Sequence, residues 1–280
     1  MKFELTRVCF SYRTGPATGR RALLETDLSL NDGECVGIIG PEGAGKSSLL
    51  YILAALMKPD SGSLHINGVN VWKEPGTIHL VRRKMGIAFQ FPEQQFVSET
   101  VESELMLGYD SIRGEERHFV EEMLAEVDLS PQKYLQRSPF SLSMGEARRL
   151  GLAALLARKA QVLFLDEPTA GLDSKGFEIV VSCLRRRKEE GVGIVIVSHD
   201  LDLLAELVTR VVILDEGRVR VDCEAGRVLN DKEVLQRYGY DVPEIAQIVN
   251  HLRSKGKLPP GGFLTLKFLE SVIDASSLRP

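Results

Sequence analysis

Cys35-Val36-Gly37-Ile38-Ile39-Gly40-Pro41-Glu42-Gly43-Ala44-Gly45-Lys46-Ser47-Ser48 is the stretch on which the fold turns. Its first five residues read as a short buried strand, a glycine-rich turn follows, and Lys46 to Met57 carries a helical pattern. Gly40 to Ser47 fits G-x-x-x-x-G-K-[ST] at every fixed position, in the strand–turn–helix context that gives the motif its meaning. Glycines let backbone N–H groups curl around a polyphosphate, and the helix N-terminus adds a favourable dipole. Lys46 can reach the β- and γ-phosphates, the Ser47 hydroxyl is placed to ligate Mg²⁺, and Ser48 would donate to a more distal phosphate oxygen. Gly40, Pro41, Glu42, Gly43, Ala44, Gly45, Lys46, Ser47 and Ser48 are therefore expected to hold a nucleoside triphosphate.

Outward from this loop, apolar runs of four or five recur with helical patterns between them. Val162 to Leu165, Ile194 to Val197 and Val211 to Leu214 read as buried parallel strands of an α/β sheet. Ser63 to Ile66 and Gly86 to Phe89 are further short strands, and Phe3 to Phe10 partly alternates. Between about 91 and 160 strand signals vanish and helices dominate, as in Glu115 to Val127 and Glu146 to Arg158, so a helical block looks inserted into the sheet. After about Asp222 the character changes again. Ile245, Ile248, Val249 and Leu252 form an amphipathic stripe, and a Pro259 to Gly262 turn leads to an apolar cluster, Phe263 to Leu269.

A second acidic element sits at Val162-Leu163-Phe164-Leu165-Asp166-Glu167-Pro168. It describes a buried strand delivering two carboxylates to the C-terminal edge of the sheet, where α/β folds bind ligands. Asp166 suits Mg²⁺, directly or through water. Glu167 suits an attacking water that needs an acceptor in line with the γ-phosphate.

Composition narrows the classes. The 280 residues are 44% hydrophobic and 26% charged, an ordinary globular balance. A net charge of −4 argues against a broad nucleic-acid footprint. Cys9, Cys35, Cys183 and Cys223 are widely spaced and form neither a disulfide framework nor a zinc site. The N-terminus lacks a signal-peptide core, and no apolar run approaches the ~18 residues of a transmembrane helix.

With these motifs in order, the sequence resembles the ATP-binding-cassette (ABC) ATPases from about Phe3 to Val221. The resemblance implies a P-loop ATPase core with an inserted helical subdomain, about 91–160 within a domain of 1–222. The small C-terminal helical extension, 223–280, is expected as an interface element, its stripe burying against a partner chain's tail or against its own cassette. Gln90 in Ala88-Phe89-Gln90-Phe91-Pro92 looks like the Q-loop glutamine, a Mg²⁺ ligand. His199 resembles the switch histidine that contacts the γ-phosphate, and Tyr12 is placed like the aromatic that stacks on adenine. Asp173 in Ala170-Gly171-Leu172-Asp173 looks like the D-loop. Leu142-Ser143-Met144-Gly145-Glu146 stands where the family's L-S-G-G-Q signature belongs, departing at Met144 and Glu146. Ser143, Gly145 and Glu146 would face the ATP held by a partner chain. Ser143 and Glu146 also spell a capping box, which would turn Glu146 back onto its own helix.

Two stretches are similar to the energy-coupling-factor and cobalt-type importer ATPases: Phe89 to Phe96 with Glu99-Thr100-Val101, and Gly239-Tyr240-Asp241-Val242-Pro243-Glu244. That similarity implies ATP and Mg²⁺ as cofactors and a second ATPase subunit, identical or homologous. It also implies a membrane scaffold subunit, a small substrate-binding membrane subunit for vitamins or Ni²⁺/Co²⁺, and a peripheral place on the cytoplasmic face of the membrane. The rival class is a non-transport ABC ATPase acting on nucleic acid or ribosomes. One cassette and no long coiled-coil insertion between Gln90 and Ser143 weigh against it.

Overall fold

The computed structural model describes residues 1–12, 20–74, 76–91, 95–107 and 116–256. Pro92 to Gln94, the Pro259 to Gly262 turn and the Phe263 to Leu269 cluster lie outside the described residues. Two sheets organise the molecule. Strands β1 (Phe3–Tyr12), β2 (Arg20–Leu30), β4 (Ser61–Ile66) and β5 (Val69–Asn70) form an antiparallel sheet in the order β2-β1-β4-β5. Strands β3 (Cys35–Ile39), β6 (Met85–Ala88), β7 (Val162–Asp166), β8 (Gly193–Val197), β9 (Arg210–Asp215) and β10 (Arg218–Glu224) form the second, in the order β10-β9-β3-β8-β7-β6. Its strands are parallel except β10, which returns antiparallel to β9.

Strand periodicity explains why these runs are continuous in hydrophobicity. Successive side chains point to opposite faces, and here both faces are covered. Val36, Ile38, Phe164, Val195, Val197 and Val212 join one buried cluster with Leu49, Leu50, Ile52 and Leu53 of helix α1 (Lys46–Leu53) and with β1, β2 and β4. Their neighbours Ile39, Leu163, Leu165, Ile194, Ile196 and Ile213 face the other cluster, built with helices α6 (Met144–Leu156), α7 (Ser174–Glu189) and α8 (Leu201–Leu207). Phe3 meets Phe164 edge-on at 5.6 Å, joining the two sheets. Each such side chain is worth about 1.5–3 kcal/mol on burial, so one sheet carries two cores.

Between β6 and β7 the chain is helical, as the sequence predicts. After α2 (Thr77–Arg82), it runs through α3 (Val101–Met106), α4 (Glu116–Glu126), α5 (Pro131–Tyr134) and a 3₁₀ turn (Pro139–Ser141) into α6. Thr100 and Ser143 cap α3 and α6 with reciprocal capping boxes, and Asp200 accepts from the N–H groups of Asp202 and Leu203 at the start of α8.

The C-terminal region packs against its own cassette. β10 continues to Glu224, past the boundary drawn at Asp222. Beyond it, α9 (Ala225–Leu229), α10 (Lys232–Arg237) and α11 (Glu244–Ser254) place Val228, Leu229, Leu235, Tyr240 and Val249 in the same buried cluster as β7 and α6. The stripe on α11 thus turns to its own cassette: Val249 is buried and Leu252 packs against the cluster, while Ile248 is exposed.

Candidate functional site

The loop after β3 is a set of close backbone approaches. Gly40 has φ +146°, and a Cβ there would stand 1.9 Å from the Leu214 carbonyl oxygen; at Gly45, φ +102°, it would stand 2.2 Å from that of Ala22. Only glycine fits either place. The turn delivers Lys46 to the first position of α1, buried, with Nζ donating to Gly40 O at 2.8 Å and Pro41 O at 2.9 Å. Burial draws the Lys46 pKa below its ordinary value, while the carboxylates of Glu167, Asp166 and Glu42 oppose that shift.

Two neighbouring strands bring the acids and the histidine. β7 ends at Asp166, whose Oδ2 accepts from Tyr51 O–H at 2.8 Å; the Asp166 charge and burial together push the Tyr51 phenol well above its usual range. Glu167 follows with φ +50°, a left-handed backbone that a side chain adopts only under about 1–3 kcal/mol of strain. That turn carries its carboxylate to the end of β8. There it accepts from Ser198 Oγ at 3.1 Å and from the His199 N–H at 3.0 Å. Burial raises the Glu167 pKa despite these bonds. His199 Nε2 lies 3.8 Å from Glu167 Oε1. Burial also lowers the His199 pKa, and Lys46 adds to the lowering.

These groups line one open cavity of about 620 Å³, together with Tyr12, Arg20, Glu42, Gly43, Gly45, Ser47, Ser48 and Gln90. The loop's amides, an ammonium and a helix N-terminus make it a receptor for a polyphosphate. A hydroxyl, an amide and a carboxylate, from Ser47, Gln90 and Asp166, are the hard oxygen donors that Mg²⁺ takes alongside phosphate. Tyr12 reaches the cavity wall by a hydrogen bond: its hydroxyl and the Ser48 hydroxyl are 2.9 Å apart, and its ring meets Phe10 edge-on at 5.1 Å.

A family model described as ABC transporter matches residues 23–170. The chain belongs to the ABC transporter family. This ABC cassette is 35% identical over 239 residues to the energy-coupling factor transporter ATP-binding protein EcfA2 of Clostridium perfringens, covering 84% of each chain. It is 36% identical over 262 residues to the protein of the same name from Enterococcus faecalis, covering 91% and 90%. Among solved structures it resembles an ATP-binding cassette in a dimeric, post-hydrolysis state bound to ADP and Pi, with TM-score 0.71, 29% identity, and 80% of this chain and 98% of that one covered. It also resembles cbiO1 from Clostridium perfringens, part of the ABC transporter complex cbiONQ, with TM-score 0.69, 28% identity, and 89% and 98% covered. The chain is an ATPase.

The cassette's signature region stands apart from the cavity. Ser143, Gly145 and Glu146 are not among its lining residues; they form the N-terminus of α6, with Met144 exposed. A Cβ on Gly145 would meet nothing nearer than Leu172 at 3.9 Å, so the helix end is open. Glu146 folds back as the capping box requires: Oε2 accepts the Ser143 N–H at 2.9 Å, and Oε1 accepts from Tyr134 O–H. Asp173 caps α7, accepting the Gly176 N–H at 2.8 Å.

Four residues stand at the site without a site role from the sequence, Tyr240 having figured only in the Gly239 to Glu244 similarity. Tyr51 lies one helical turn beyond Ser47, a spacing that puts both on one face of α1. Arg20 enters from β2 and donates to Gly43 O at 3.5 Å. Arg148, on α6, donates to the carbonyls of Gln90 at 2.8 Å, Glu167 at 3.3 Å and Ala170. Tyr240 arrives from the C-terminal region.

Proposed function

We propose that this cassette is the ATP-hydrolysing subunit of a multi-subunit membrane importer of the energy-coupling-factor type. The observation that carries this reading is the convergence of Lys46, Asp166, Glu167 and His199, from the ends of β7 and β8 and the turn between β3 and α1, on one polyphosphate-sized cavity. Lys46 exchanges two neutral carbonyls of its own loop for β- and γ-phosphate oxygens. Ser47, Gln90 and Asp166 would hold Mg²⁺, which would supply positive charge against the phosphates. Glu167 orients and polarises the attacking water, and the burial that raises its pKa makes it a better proton acceptor than a solvated carboxylate. His199 faces the same space across 3.8 Å from Glu167.

The open end of α6, with Ser143 and Gly145, completes the site of a second ATPase subunit, so two chains close over two nucleotides and reopen after hydrolysis. Similarity to EcfA2 proteins and to cbiO1 supports a membrane scaffold and a small substrate-binding membrane subunit as partners, for vitamins or Ni²⁺/Co²⁺. No helix among the described residues is long and apolar enough to cross a membrane. Similarity to ATP-binding subunits of membrane transporters supports peripheral docking on the cytoplasmic face, where ATP is supplied. Glu167→Gln tests the reading. It is expected to keep ATP binding while hydrolysis falls roughly 10²–10⁴-fold, with an ATP-bound dimer seen by size-exclusion chromatography. Undiminished turnover by a monomer would overturn it.

A further inference from the structure

Tyr240 is nine-tenths buried and belongs to the turn between α10 and α11, yet its hydroxyl's partners among the described residues are the first residue of the phosphate loop and the cavity-lining His199. The hydroxyl donates to Gly40 O at 2.8 Å, accepts the Gly40 N–H at 3.1 Å, and stands 3.1 Å from His199 Nδ1. Its ring stacks on the imidazole, centroids 5.7 Å apart and planes 18° from parallel. One phenolic oxygen thus joins the last residue before the phosphate loop's turn to the histidine at the end of β8.

The proton inventory gives this contact a direction. A phenol has one proton and can accept as well as donate. That proton goes to Gly40 O at 2.8 Å, on the carbonyl's second lone pair beside Lys46 Nζ. The Gly40 N–H occupies one acceptor position on the phenol, and the other is left for a donor from Nδ1, which has no other partner among the described residues. The imidazole proton is therefore held on Nδ1, and Nε2, 3.8 Å from Glu167 Oε1, presents its lone pair to the cavity.

We propose that Tyr240 is a positioning residue that fixes the ring plane and the Nδ1–H tautomer of His199 and ties both to Gly40, so that the C-terminal region controls hydrolysis without touching nucleotide. The inference rests on the reading of the cavity as an ATPase site. Because the phenol comes from outside the sheet, displacement of the α10–α11 turn would release His199 while leaving Lys46 and the loop's amides to bind phosphate.

The test uses the full chain with Mg²⁺ and ATP, comparing the parent, Tyr240→Phe, His199→Ala and the double variant. Tyr240→Phe keeps the ring and removes only the hydroxyl. It is expected to lower kcat by about tenfold, with KM for ATP changed less than about threefold. In the His199→Ala background the same change should alter turnover less than about twofold, because its route runs through the imidazole. The ¹⁵N shifts of His199 should report Nδ1–H in the parent and a mixture of tautomers in Tyr240→Phe. Unchanged kcat in Tyr240→Phe, equal losses in both backgrounds, or identical ¹⁵N shifts would each overturn the inference while the ATPase reading stands. A parent chain without Mg²⁺-dependent turnover overturns the ATPase reading itself.

Discussion

Replacing Glu146 by glutamine separates two consequences of having a carboxylate where the signature usually has an amide. The Glu146 carboxylate is engaged within its own chain by the Ser143 N–H and Tyr134 O–H, with Lys133 Nζ 3.8 Å away, and these partners hold its pKa down to about 2 from 4.5. The Tyr134 hydrogen bond is the largest of these causes. At about 1.4 kcal/mol per unit the whole shift would be worth about 3 kcal/mol; water at the open helix end reduces the expected contribution to about 1–2 kcal/mol. Glu146→Gln should therefore lower the melting temperature by about 2–5 °C at pH 7. A depressed folded pKa gives stability that is fully present above the unfolded value of 4.5 and is lost as pH falls towards 2. The gap between parent and variant in urea denaturation should accordingly be constant above about pH 5 and narrow below it. Turnover should change less than about tenfold, since the charge is turned away from the open helix end. Equal stabilities at pH 7, or a hundredfold gain in turnover, would show that the carboxylate faces the composite site and cripples it.

Lys46→Ala is expected to abolish tight ATP binding, because it removes the only ammonium lining the cavity among the described residues; near-normal affinity by equilibrium dialysis would refute the site. Truncation after Glu224 takes Val228, Leu229, Leu235 and Val249 out of the core, a gross loss of about 6–12 kcal/mol against a net stability of about 5–15. The shortened chain should lose its cooperative unfolding transition. A soluble fragment that melts like the parent would show that the region is an independent appendage.

The parts of this fold that the sequence disclosed are those whose cause is local. A polyphosphate loop needs glycines at fixed offsets before a helix, and a buried parallel strand must be apolar on both faces, so Gly40 to Ser48 and Val162 to Glu167 announce themselves in consecutive residues. Capping is local as well, which is why the backward turn of Glu146 could be read from a spacing of three. Tyr240 is the opposite case. Its partner Gly40 is 200 positions away, and the tyrosine in Gly239-Tyr240-Asp241 has no periodicity or neighbour that points to a phosphate loop. The packing of the region after Asp222 is hidden for a related reason. A change of pattern after β9 marks the end of parallel strands, but β10 still pairs with β9 and the later helices still need a surface to bury against, which the sheet's own cluster supplies. Asp173 shows a third situation, in which one residue satisfies a helix end and sits in a named loop at once.

Arg148 explains why these loops behave as one body. Its guanidinium leaves α6 three residues after the signature glycine and spans the carbonyls of Gln90, Glu167 and Ala170, which belong to the segments after β6 and β7. A planar fork with five donors can hold several acceptors at once, where a lysine's compact ammonium could not keep the same geometry. The loops after β6 and β7 and the N-terminal half of α6 are thus fastened through a single side chain. A shift of α6 towards a partner must pull on the backbone of Glu167, whose left-handed conformation is already strained and is restrained by Ser198 and His199. His199 in turn is held by Tyr240. Closure of the signature, the placement of the water-polarising carboxylate and the seating of the C-terminal region are therefore mechanically linked, and the linkage runs through hydrogen bonds to carbonyls and one phenol rather than through the hydrophobic core.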